Sequence, residues 1–344
     1  MREDSSAAKI PDADATDLTK PTPRWACPRC WMKTVQAILL VVLAAGAVFY
    51  MRPMWVIQQA IALQLWSQGV RSEYVNSGGY RLHYLVAGEG EPVLLVHGLG
   101  AKAEDWGNLI PAIAKGGYKV YAIDLLGYGR SDKPADASYS IAQEADIVRA
   151  FLDAKGLKRV DLGGWSMGGW VSLKVASDAP ERVERLMLFD SAGIRFDIKF
   201  PHSIFWPGTP AELAELTSWL MPQPPRYPDF LARDMLRTFR PRQWVIRRSV
   251  SAMETEADVM DGKLGSLKMP VLIVWGAQDR LTPVYTAEEM HREIPQSELS
   301  LFEGCGHLAP VQCAGNVAPR VLVFLHTALA SSMIPVVSAE QGSR

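Results

Sequence analysis

Gly164-Trp165-Ser166-Met167-Gly168 is the stretch on which the fold can be read. Before it runs the short apolar segment Arg159-Val160-Asp161-Leu162-Gly163, and after it Trp170-Val171-Ser172-Leu173-Lys174-Val175-Ala176 carries helical spacing. Strand, sharp turn and helix, in that order, form the setting a G-x-S-x-G nucleophile elbow requires. Gly164 and Gly168 have a steric job there, because side chains flanking so tight a turn would collide across it. A helix starting behind Ser166 turns its positive N-terminal end toward the hydroxyl. Such a serine is a nucleophile only if the chain also supplies a base, an acid to orient it and donors for an oxyanion.

Outward from the elbow the pattern repeats. Val93–Val96, Val120–Ile123, Val160–Gly163, Leu186–Phe189 and Val271–Trp275 are short apolar runs, interleaved with helical patterns near 104–114, 140–155, 167–178 and 284–294. Buried strands alternating with helices predict an α/β fold, a mostly parallel sheet covered on both faces. Ser297–Phe302 adds a last strand and Val317–Ala330 a last helix. Upstream, the alternating runs Ser72–Val75 and Tyr80–Val86 flank Asn76-Ser77-Gly78-Gly79 and predict a hairpin. Between Asp190 and Met269 no strand-like run occurs. That segment holds Phe196, Phe200, Phe205, Trp206, Trp219, Phe230 and Trp244 among proline-rich turns. An insertion at the sheet edge where ligands bind reads as a cap. Its aromatic residues either line an acyl site or form ordinary core.

The base and the acid follow from position. His307 stands in Gly304-Cys305-Gly306-His307 after the last strand, and Asp279 in Trp275-Gly276-Ala277-Gln278-Asp279 after the preceding one. Both occupy loops at strand C-terminal ends, the edge where Ser166 stands. The rival histidines His202 and His291 follow no strand, and Asp190, which ends the strand before the cap, is the rival acid. Cys305 beside His307 has no elbow around it and reads as a small buried thiol.

The order Ser166, Asp279, His307 is that of the α/β-hydrolase superfamily, which residues 72–330 resemble. His97-Gly98-Leu99-Gly100 matches the family's H-G-x loop, and Asp124-Leu125-Leu126-Gly127-Tyr128-Gly129-Arg130-Ser131 matches its D-x-x-G-x-G-x-S loop. The resemblance implies an oxyanion hole from the backbone N–H groups of Leu99 and Met167, with His97 and Gly98 supporting the loop. Within the superfamily the chain looks like the membrane-bound monoacylglycerol lipase branch, on Pro207-Gly208-Thr209-Pro210-Ala211-Glu212 and the Trp-Gly-x-Gln-Asp and Cys-Gly-His segments. Many relatives place Glu five residues after the histidine; here Gln312-Cys313-Ala314 stands instead, which bears on the packing of the last helix. The implied activity is a serine esterase or lipase needing no metal or organic cofactor. Carbon–carbon or amide hydrolysis and a slow-turnover receptor are the alternatives. Serine at the elbow, where dehalogenases and epoxide hydrolases carry Asp, argues against those chemistries.

The 344 residues accommodate this core and more. Residues 1–33 read as a disordered tail, 34–51 as a transmembrane anchor, 52–71 as an amphipathic linker helix and 332–344 as a disordered C-terminal tail. The core then covers 72–193 and 264–331, with the cap at 194–263. Thr34–Met51 carries no charge and is bracketed by Lys33 and Arg52. A cleaved signal peptide starting at Met32 is the alternative. Lys20, Arg24, Arg29 and Lys33 before the run place the tail in the cytoplasm and the domain outside it. The expected partners are a lipophilic ester and the bilayer. A net charge of −1 gives no electrostatic footprint for nucleic acid. Four cysteines in two pairs, Cys27/Cys30 and Cys305/Cys313, are too few for a disulfide scaffold.

Overall fold

The computed structural model describes residues 28–332, with side chains from 31 to 327. The two expected tails, as far as residue 27 and beyond 332, lie outside the described residues, as do the Cys27 and Cys30 side chains. The chain divides after Tyr50 into two compact units. Among the described residues the first is helix α1, Pro28–Met51, up to its last residue; the helix starts earlier than the apolar run alone indicates. Its 21-residue segment Trp31–Met51 is long and apolar enough to cross a membrane, with a mean hydropathy of 2.2 over an 18-residue window and a length of about 31 Å at 1.5 Å per residue.

The second unit opens with α2, Pro53–Ser67, whose proline at the first turn lacks only an N–H that would have no partner. A hairpin of β1 (Arg71–Ser77) and β2 (Tyr80–Ala87) follows. Its strands run further than the sequence pattern indicates, pairing Ser77 with Tyr80 and leaving a two-residue turn. Gly78 and Gly79 occupy that turn with φ of 58° and 84°, values that a two-residue hairpin turn demands.

Six further strands complete the sheet: β3 (Glu91–Val96), β4 (Tyr118–Ile123), β5 (Val160–Trp165), β6 (Val183–Phe189), β7 (Val271–Gly276) and β8 (Ser297–Phe302). Their order is β1-β2-β4-β3-β5-β6-β7-β8, antiparallel across β1, β2 and β4 and parallel from β4 onward. Side-chain alternation splits the core into two layers. Leu94, Val96, Leu162 and Ile273 face α4 (Ile141–Ala154) and α5 (Met167–Asp178). Val93, Leu95, Phe189 and Val274 face α3 (Leu109–Lys115) and α11 (Ala314–Ser332). The last helix is firmly seated although no Glu stands in the loop before it, since Val317, Val321, Phe324 and Leu325 are all buried.

The cap between β6 and β7 contains α6 (Pro210–Leu220), α7 (Asp229–Phe239) and α8 (Gln243–Met253). Thr209 caps α6, its side chain accepting from the Glu212 N–H. Between β7 and β8 runs α9 (Val284–Glu293), and the short α10 (Ala309–Gln312) precedes α11.

Candidate active site

Ser166 sits at the β5–α5 junction with φ 56° and ψ −121°, a conformation L-residues avoid. Two glycines make it possible. A Cβ at Gly168 would lie 2.2 Å from the Val96 carbonyl oxygen, and one at Gly164 would lie 2.2 Å from that of Gly168. Either contact is far inside van der Waals range, so the strands and helix close around Ser166 only with hydrogen at both positions.

The structure brings Ser166, His307 and Asp279 together. His307 Nε2 is 2.8 Å from Ser166 Oγ, and its Nδ1 is 2.8 Å from Asp279 Oδ2. With Nδ1–H donating to the carboxylate, Nε2 is left to accept the serine proton. His307 and Asp279 are buried, whereas Ser166 opens onto a cavity. Burial opposes a charged His307 ring, but the facing Asp279 and, behind it, Asp190 outweigh burial and hold its pKa above the ordinary value. The rivals lie elsewhere: His202 pairs with Glu254, and His291 Nδ1 lies 2.7 Å from Ser297 Oγ.

Leu99 follows β3, and Met167 is the first residue of α5. The loop between them is close: a Cβ at Gly98 would lie 3.0 Å from that of Ser166. His97 fixes the loop. Its Nε2 accepts from the Leu125 N–H at 3.1 Å, so Nδ1 carries the proton and donates to the Gly98 carbonyl at 2.8 Å. Complete burial lowers the pKa of this ring and keeps it in that neutral form.

Three features escaped the sequence reading. Thr282 Oγ1 lies 2.7 Å from Asp279 Oδ2, 3.0 Å from His307 Nδ1 and 3.2 Å from the Asp190 carbonyl oxygen. Asp279 Oδ1 accepts from the Leu281 and Thr282 amides, a local turn that the Asp-Arg-Leu-Thr spacing could have signalled. Asp190 joins two loops, accepting from the amides of Gly276 (2.8 Å) and Ala309 (3.0 Å). Its burial, and then the nearby Asp279, raise its pKa well above that of a free carboxyl.

Cys305 is not the free buried thiol expected. It forms a disulfide with Cys313, at a Cα–Cα distance of 6.3 Å, which brackets the His307 loop. The eight-residue separation gave no sign of pairing because α10 folds the intervening chain back. Trp165 adds a second tether, its indole N–H donating to the His307 carbonyl at 2.8 Å.

The cavity in front of Ser166 holds about 610 Å3. Its walls are mainly aliphatic, from Leu213, Leu216, Leu220, Met235, Leu236 and Ile246 of the cap, with Leu281 and Val311 from the core. Of the seven cap aromatics singled out in the sequence as either cavity lining or ordinary core, Phe205 lines the cavity, and Phe239 of α7 joins it there. Phe200 packs on Phe205 and Trp219 instead, and Trp206 and Trp244 lie under Arg247 and Arg248. One wall comes from α2, through Met54, Gln58, Ile61 and Leu65.

A second Ser–His–Asp relay lies at the far edge of the sheet. Ser72 Oγ is 2.9 Å from His83 Nε2, and His83 Nδ1 is 2.7 Å from Asp124 Oδ2. Asp124 also accepts from the Ala103 and Arg130 amides, both at 2.7 Å. Burial alone would raise its pKa, yet the His83 hydrogen bond and these partners bring it well below the usual carboxylate range.

An eight-stranded sheet of this order, a serine on a strained strand-to-helix turn and a histidine and acid from the last two strand ends define an α/β-hydrolase. Residues 91–253 and 254–312 match the family described as the alpha/beta hydrolase fold, and the chain belongs to it. Among similar proteins is the 2-hydroxymuconate semialdehyde hydrolase of Pseudomonas sp. (strain CF600), 30% identical over 75% of this chain and 94% of its own length. Lipase 1 of Psychrobacter immobilis is 28% identical over 68% of this chain and 77% of its own. The crystal structure of a membrane phospholipase A, a bacterial virulence factor, superposes with a TM-score of 0.75. At 24% identity, that match covers 87% of this chain and 99% of the other.

Proposed function

We propose that the protein is a membrane-anchored serine hydrolase that cleaves carboxylic esters of lipophilic acyl chains. The observation that carries this reading is the Ser166–His307–Asp279 relay opening into an aliphatic cavity walled on one side by α2. That helix follows the span-length segment after a single residue, Arg52. A cavity of this size lies within the range for small-molecule sites.

Ser166 attacks the ester carbonyl while His307 Nε2 takes its proton, and Asp279 stabilises the imidazolium that forms. The amides of Leu99 and Met167 hold the tetrahedral oxyanion, each worth about 3–4 kcal/mol in comparable sites. His307 then protonates the departing alcohol, and water cleaves the acyl-enzyme by the same route. Arg52 with Lys33 brackets an anchor across the bilayer, with the domain on the extracytoplasmic side. A disulfide at Cys305–Cys313 accords with an oxidising compartment.

A second reading is carbon–carbon bond hydrolysis, favoured by the similarity to the 2-hydroxymuconate semialdehyde hydrolase. A chain-length series of esters, from short acyl groups to monoacylglycerols, separates the two, with the Ser166→Ala protein as blank. Turnover rising with chain length supports the lipid-ester reading. Turnover confined to short esters removes the acyl-chain part of it. Turnover only of a 2-hydroxy-6-oxo-dienoate selects the carbon–carbon reading.

A further inference from the structure

Helix α2 is apolar on two sides. Met54, Gln58, Ile61 and Leu65 recur at i, i+4, i+7 and i+11 and face the cavity. Trp55, Leu63 and Trp66 occupy the opposite face with 51%, 63% and 69% exposure. No charged residue occurs anywhere in the helix. An uncharged helix with bulky apolar residues on two faces belongs in a core or against lipid, and among the described residues no protein covers this outer face. Tryptophan near each end is the pattern of a helix at a membrane–water interface.

The cap segment that grips the start of α2 is basic. Residues 226–248 hold seven arginines and two aspartates in a chain of net charge −1. The aspartates are engaged: Asp234 pairs with Arg237, and Asp229 lies 4.0 Å from Arg233. Asp234 and Arg237 also grip the start of α2. Asp234 Oδ2 accepts from the Met54 amide at 2.8 Å, and Arg237 donates to the Met51 carbonyl at 3.2 Å. The cap helix α7 is thereby latched to the first residues of the second unit, Met51 and Met54. At the C-terminal end of α7, Arg240 and Arg242 are exposed and, among the described residues, form no ion pair. Arg242 also borders the cavity with Ile61.

We infer that the outer face of α2 and the α7–α8 corner together form a docking surface for anionic lipid headgroups, with Trp55, Leu63 and Trp66 in the interfacial layer and Arg240 and Arg242 on the phosphates. The occupant follows from charge complementarity and from continuity with the anchor, since basic residues beside a span are drawn to an anionic surface. Docked in this way, the cavity mouth faces the layer from which a lipid ester would come. The inference deepens the membrane half of the proposed function and does not depend on which bond is cut.

Amide hydrogen exchange of the full-length protein in nanodiscs tests it without reference to turnover. Peptides covering 54–67 and 237–248 are expected to exchange more slowly in phosphatidylcholine discs containing phosphatidylglycerol than in pure phosphatidylcholine. High salt should reverse the protection over 237–248, because exposed charges are screened. Arg240→Gln with Arg242→Gln should weaken it, each lost charge by about fivefold. Equal exchange in both lipids overturns the inference. So does protection that follows protein concentration rather than lipid charge, which would make a second copy of the chain the occupant. The ester series above fails or succeeds independently of either result.

Discussion

The same three residue types form two hydrogen-bonded relays in this molecule, and only one has its serine on a strained strand-to-helix turn. Ser166–His307–Asp279 and Ser72–His83–Asp124 have almost the same distances. They differ in what surrounds the serine. Ser166 has a positive φ, two glycines against its neighbours and an α-helix starting behind it. Ser72 lies in β1, the edge strand of the sheet, and no helix starts behind it. Its oxygen is also occupied, accepting from Arg130 at 3.0 Å while the hydroxyl faces His83. A relay can only remove a proton; the proposed mechanism also needs the elbow and donors for an oxyanion.

The sharpest way to break this contrast is a fluorophosphonate probe. Ser166 should label quickly and Ser72 not at all, and Ser166→Ala should lose ester turnover by about 10^4-fold or more while folding normally. Labelling of Ser72 in that variant would put the two relays on an equal footing and overturn the distinction. Asp279→Asn should cost almost as much, about 10^4-fold in kcat, since the His307 ring loses its orienting carboxylate. Because Asp279 holds the His307 pKa up, kcat/KM of the wild type should rise with pH through a value above 6.5. In Asp279→Asn, what activity remains should rise at lower pH. An unmoved limb would mean that another group titrates there.

The second relay should answer in stability instead. Asp124→Asn leaves His83 and two backbone amides facing a weaker acceptor inside the protein, a loss of about 3–5 kcal/mol by analogy with broken buried pairs. Its sign with pH is fixed. The folded pKa of Asp124 is depressed, so its contribution is complete above the unfolded value of about 4 and is lost as pH falls through the folded value. Urea unfolding at pH 7 and in acid should therefore show the gap between wild type and variant closing in acid, with activity per folded molecule unchanged.

The two relays also differ in how much the sequence reveals. Ser166, Asp279 and His307 each sit beside a strand recognisable from its apolar run, so the elbow, the strand ends and the chain order were legible. Ser72, His83 and Asp124 lie on or after three different strands and meet through register. Ser72 pairs with Leu85 and Tyr74 with His83, which puts Ser72 diagonal to His83 on one face. No local pattern announces that diagonal. The cap tells the same story, since helix periodicity shows which residues share a face but not what the face meets. Most of the aromatics singled out there pack elsewhere, and aliphatic residues with Phe205 and Phe239 line the cavity.

The disulfide is a smaller lever on the first relay. Replacing Cys305 and Cys313 together by Ala should destabilise by about 2–3 kcal/mol, from the entropy of a short closed loop. Loosening the His307 loop should lower kcat more than it raises KM, with Trp165 still holding the His307 carbonyl. A fall in stability with kcat intact would make the crosslink a staple for α10 alone.

Ser72→Ala sharpens the comparison with the smallest effect. The hydroxyl is exposed and joins His83 to Arg130, but water can take its place at both. Arg130 keeps its pairing with Glu104, and Asp124 keeps His83 and its two amide donors. Loss of one such bond at a wet position should cost under about 1 kcal/mol, read as a small shift of the urea midpoint with no change in turnover. The same atom deleted at position 166 should remove the reaction. Identical side chains in matching hydrogen bonds would then differ in consequence by orders of magnitude, because backbone geometry decides which serine can attack.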